Sequence, residues 1–142
     1  KMDNRVIAAY QQLGFKLVVD PSVNYSGYFD ARSRSITMKQ IDDSVYHELG
    51  HFLAFIAGNA DKTASFQSIF AAEKANVTAF NKAYVTQNAS EYFAESVKDY
   101  ILNNASLKSS RPQTYAAVQN ALNQITDAQI AKIQKIYGAF WN

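Results

Sequence analysis

Two histidines and a glutamate, spaced His47-Glu48-x-x-His51, constrain this chain more than any other feature of its sequence. Residues four apart on a helix lie one above the other on the same face. Both imidazoles can therefore turn a ring nitrogen toward one metal ion, in the geometry that tetrahedral zinc takes. Glu48 comes round beside the coordination position left open, where a carboxylate can take a proton from water. The chain has 2 histidines, and both are here. The flanks read as helix. Asp42, Asp43 and Ser44 supply cap candidates and first-turn negative charge. Val45, Leu49, Phe52, Leu53 and Ile56 recur at helical spacing and give the helix an apolar face to bury.

A site of this kind needs a folded scaffold, and 142 residues with 48% hydrophobic and 13% aromatic content suffice for one domain with a single core. The expectation is a single catalytic domain over residues 1–142, acting as a monomer. A net charge of +2 without a basic run gives nucleic acid no footprint. The absence of cysteine excludes a disulfide framework and a thiolate zinc site. No apolar run approaches the length of a membrane span. Lys1-Met2 does not read as a native start, so a mature or trimmed fragment is expected.

Along the chain, residues 3–13 read as a helix stopped by Gly14. Residues 15–19 alternate and are rich in β formers, so they read as a strand ended by Asp20-Pro21. Two short strands, 25–30 and 35–39, are joined by the polar turn Ala31-Arg32-Ser33-Arg34. The motif helix spans about 43–57, and everything after it reads helical: 63–74, a looser stretch 75–88, 89–103, then 112–123 with Pro112 in its first turn. Thr126 or Asp127 caps a last helix. The expected fold is α+β: a small N-terminal β-sheet, the central motif helix and a helical C-terminal half, a zincin-like outline.

A catalytic zinc usually has three protein ligands and one open position. A third histidine six residues after His51 would complete one known pattern, but that residue is Ala57. The remaining ligand should be a downstream carboxylate: Glu73, Glu91, Glu95, Asp99 or Asp127. Glu91 and Glu95 share a helix face at a spacing of four, so one could bind the metal while the other holds a ligand in place. Spacing alone does not choose between them.

His47-Glu48-Leu49-Gly50-His51 followed by Glu91-Tyr92-Phe93-Ala94-Glu95 resembles the anthrax lethal factor-like metallopeptidase domains, a group that includes the secreted Pro-Pro endopeptidases of clostridia. The segments Phe66-Gln67-Ser68-Ile69-Phe70-Ala71-Ala72-Glu73 and Ser110-Arg111-Pro112-Gln113-Thr114-Tyr115 extend the resemblance over roughly residues 25 to 123. It implies that Glu91 is the third zinc ligand, that Glu95 supports the site, and that Tyr84, seven residues before Glu91, assists catalysis as an oxyanion donor. The Pro-Pro branch carries an acidic residue just before the ligand glutamate and a tryptophan near the substrate strand. Here Ser90 precedes Glu91, and the one tryptophan is Trp141. The resemblance thus implies protein cleavage and leaves the target open.

The expected function is that of a zinc endopeptidase holding one Zn²⁺ ion, a secreted bacterial and toxin-like catalytic domain. Its peptide substrate is expected to pair as an extended strand along an exposed sheet edge formed by Ser35, Ile36, Thr37, Met38 and Lys39. The competing expectation is a zinc-binding recognition module without turnover.

Overall fold

The computed structural model describes residues 1–141 and has an α+β architecture, mostly helical, with one small sheet near the N-terminus. Helix α1 (Asn4–Gln12) begins where the Asp3 carboxylate accepts the Arg5 backbone N–H at 2.8 Å. It ends at Gly14, whose φ of 77° is left-handed. Strands β1 (Lys16–Val19), β2 (Gly27–Asp30) and β3 (Ser35–Met38) follow, then the motif helix α2 (Ser44–Ile56). Helices α3 (Ala64–Glu73), α4 (Lys82–Val85), α5 (Ala89–Leu102), α6 (Asn104–Ser110), α7 (Pro112–Asn123) and α8 (Asp127–Trp141) complete the chain. The short helices α4 and α6 have no counterpart in the periodicity, because one or two turns are too few to show it. Among the described residues no helix is long and apolar enough to cross a membrane.

The sheet order is β1-β3-β2, with β1 parallel and β2 antiparallel to β3. This corrects the expectation that Ser35, Ile36, Thr37, Met38 and Lys39 form an exposed edge. Ser35–Met38 is the central strand, hydrogen-bonded on both sides, and Lys39 lies just beyond it with its N–H given to Ser26 at 3.1 Å. Ile36 and Met38 are 1% and 0% exposed. Among the described residues the two edge strands are β1 and β2. β1 also departs from its expected alternation: Leu17, Val18 and Val19 are all exposed, and only the preceding Phe15 reaches the core.

Helices α2 and α5 form the centre. Phe52, Leu53 and Ile56 of α2 are fully buried, as are Phe93 and Val97 of α5 to within 1%. The two helices nearly touch at Gly50: a Cβ there would lie 2.7 Å from the carbonyl oxygen and 2.8 Å from the Cα of Ala94. A glycine in mid-helix costs about 1 kcal/mol relative to alanine. Here it permits a backbone approach that no larger residue allows.

Behind α5 lies a buried polar network. Glu73 accepts the N–H groups of Gln113 and Thr114 at 3.1 and 2.8 Å, satisfying the first turn of α7. It also accepts the Thr114 hydroxyl at 2.7 Å. That hydroxyl has spent its proton, so the Tyr92 hydroxyl must donate to it, at 2.6 Å. Arg111, 6% exposed, donates to Ser96 at 3.1 Å and to Asp99 at 2.6 Å. Tyr92, Ser96 and Asp99 lie on one face of α5, so the network sets the rotation of that helix about its axis.

Candidate metal centre and active site

The α2–α5 crossing brings His47 and His51 against Glu91. One oxygen of Glu91 lies 2.9 Å from His47 Nε2 and 3.2 Å from His51 Nε2. His47 Nδ1 meets Glu95 at 2.8 Å. Donor atoms of His47, His51 and Glu91 all lie within 4.8 Å of one another. The other candidates are placed elsewhere: Glu73 and Asp99 are held by the network behind α5, and Asp127 opens α8. Asn88 fixes where Glu91 begins its turn, since its side chain caps α5 by accepting the Glu91 N–H at 2.8 Å.

This arrangement fits a tetrahedral divalent ion by its donor chemistry. Bonds of 2.0–2.2 Å in a tetrahedron set neighbouring donor atoms about 3.3–3.6 Å apart, a little wider than the spacings Glu91 already makes. Two imidazoles and a carboxylate are a zinc-type set. With Glu95 placed to accept from Nδ1, a His47 ring that gives up its Nε2 proton keeps the Nε2 lone pair for a metal. The carboxylates of Glu91 and Glu95 also favour a proton on His47. Burial disfavours a charged His47, but hydrogen bonds to Glu91 and Glu95 outweigh it and push its pKa up to about 9. The same hydrogen bonds from His47 and His51 hold Glu91 far below the usual carboxylate range.

Glu48 is 7% exposed, and burial raises its pKa. Its carboxylate runs beside Gly27, where a Cβ would fall 2.9 Å from Glu48 Cγ and 3.1 Å from Oε2. Strand β2 thus passes directly over the general-base candidate. Tyr84, at the C-terminal end of α4, is half exposed, with its ring 6.5 Å from that of His47. Burial, then the charge of Glu91, raises its pKa, so the phenol keeps its proton and can donate. Phe29 of β2 stacks on the His51 ring at 6.4 Å.

Two cavities flank this cluster. One of about 380 Å³ is bounded by His47, Glu48, Tyr84 and Gly27. The other, about 210 Å³, lies beside His51, Phe29 and Ser90. A larger cavity of about 440 Å³ between α3 and α7 contains none of these residues. Converging polar groups, rather than size, mark the site. Trp141 lines neither flanking cavity, but its indole N–H is bonded at 3.0 Å to the carbonyl of Ala31, which borders the smaller one.

Reasoning from sequence did not single out Gly27, Gly50 or the Asn88 cap as parts of the site. A glycine inside the His-Glu-x-x-His spacing was the one visible signal, because a helix former would be favoured there.

Fold and site together describe an α+β domain with a helix-borne His-His-Glu cluster suited to a divalent metal. Residues 22–121 match the family described as anthrax toxin lethal factor, N- and C-terminal domain, and the chain belongs to that family. It is 41% identical over 78 residues to the Pro-Pro endopeptidase of Clostridioides difficile (strain 630). That match takes in 52% of this chain and 34% of the relative, about a third of its length.

Proposed function

We propose that residues 1–142 form a single zincin-like catalytic domain of a zinc-dependent endopeptidase, a secreted bacterial protein. The observation that carries this reading is the convergence of His47, His51 and Glu91 on one point with Glu48 beside it. Membership of the family, and the name of the relative, support peptide-bond hydrolysis as the reaction.

His47, His51 and Glu91 would hold the ion, with Glu95 orienting the His47 ring. When bound, zinc lowers the pKa of a coordinated water toward ~7 and polarises the scissile carbonyl. Glu48 takes the proton of the attacking water and passes it to the leaving amine, and its raised pKa brings it nearer the working pH for both transfers. Tyr84 donates a hydrogen bond to the oxygen on which negative charge develops. The substrate lies as an added strand on the free edge of β2, antiparallel to Gly27–Asp30, in place of the covered Ser35–Met38.

The test is Glu48→Gln beside the parent protein on a proline-containing peptide library, with metal content measured for both. The variant should keep one zinc per chain and its fold while cleavage falls by about 10²–10⁴-fold. Cleavage by the variant at the parental rate overturns the mechanism. No cleavage by zinc-loaded parent protein overturns the peptidase reading.

A further inference from the structure

The 380 Å³ cavity opens directly off the reacting position, with His47, Glu48 and Tyr84 on one side. Tyr25, Asn81 and Lys98 also line it, and none of the three belongs to the machinery described above. All three are hydrogen-bond donors. Asn81 accepts from Tyr84 and Val85 at 3.0 and 3.2 Å through its backbone carbonyl, and its side chain makes no cap hydrogen bond to α4. Lys98 is the one lysine or arginine lining it among the described residues. Its ammonium reaches Glu95 only at 3.9 Å, long for a charge-assisted hydrogen bond. The oxygen it approaches is Oε2, while His47 engages Oε1 of the same carboxylate.

A proline or aliphatic side chain seated here would strip water from Lys98 and Asn81 and return no hydrogen bond, which is costly for a charged donor. A carboxylate or carboxamide would replace that water. The direction of β2 decides which substrate residue enters. The strand runs from Gly27, at this cavity, to Phe29, at the smaller cavity beside His51. A peptide antiparallel to it passes the smaller cavity first and places the residue after the scissile bond over the larger one.

Resting on the peptidase reading above, we propose that this recess selects a side chain bearing hydrogen-bond acceptors (Asp, Glu, Asn or Gln) immediately after the scissile bond, with Lys98 and Asn81 as its specificity-determining residues. Acceptor chemistry is shared by acids and amides. The acids gain from the charge of Lys98 and lose to Glu48 and Glu95, so the two kinds are separated by experiment.

Zinc-loaded protein would be assayed on peptides differing only at that position: Glu, Gln, Leu and Pro. Parent protein should favour Gln or Glu over Leu and Pro by roughly tenfold or more in kcat/KM. Lys98→Met should bring the Glu-to-Leu ratio toward one, and Asn81→Ala the Gln-to-Leu ratio. A fall in the Glu ratio alone identifies the acid as the preferred residue, and a fall in the Gln ratio alone identifies the amide. Cleavage that favours Pro or Leu, or ratios untouched in both variants, overturns the specificity assignment and leaves the peptidase reading standing. No cleavage of any peptide overturns both.

Discussion

The two faces of α5 use the same kinds of side chain to opposite ends. On the rear face Tyr92, Ser96 and Asp99 meet Thr114, Glu73 and Arg111 in a network where each donor has an acceptor. On the front face Glu91 serves two imidazoles with a single oxygen, and His47 is drawn to hold a proton. The rear is complete without a ligand. The front crowds three donor atoms around one point, an arrangement that a cation relieves. A buried polar cluster therefore reads as structural when its hydrogen bonds close among themselves, and as a site when its acceptors converge.

Breaking the front should act on metal and leave the scaffold. Glu91→Ala is expected to abolish stoichiometric zinc, measured by elemental analysis after dialysis, with circular dichroism unchanged. Stoichiometric zinc in that variant would shift the third-ligand role to Glu95. Gly50→Ala tests the joint between the faces. The added methyl meets the Ala94 backbone rather than a yielding side chain. The helices must part, at about 1–3 kcal/mol of stability, and Glu91 moves off the histidines. Both thermal stability and zinc affinity should fall; unchanged zinc affinity would show that the crossing does not set the site.

Breaking the rear should act on stability first. Glu73→Gln turns an amide N–H₂ toward a backbone N–H or the Thr114 hydroxyl, leaving a buried donor unmatched at about 1–3 kcal/mol. Denaturant unfolding should register the loss, with zinc still bound in the folded fraction. The smallest effect is expected from Asn88→Ala, which removes the α5 cap for about 1 kcal/mol. A weakened zinc affinity in excess of that stability loss would tie the cap to the placement of Glu91.

Much of this was legible from local pattern. The motif helix, the α+β outline, the Gly14 stop and Pro112 in the first turn of α7 follow from short-range sterics and hydrogen bonding. The β-strands were found, but not their order. Pairing partners are distant in sequence, and a four-residue strand carries no mark that distinguishes a centre from an edge. That is why the stretch Ser35–Lys39, expected as an exposed edge, supplies the central strand instead.

By itself, the sequence determined that two imidazoles and a carboxylate would share one helix, because a spacing of four is a property of the helix. Only the tertiary structure decided which distant carboxylate completes the group. Glu91 and Glu95 are equivalent by periodicity, and the close crossing at Gly50 and Ala94 sets one against the Nε2 atoms of both histidines and the other against Nδ1 of His47.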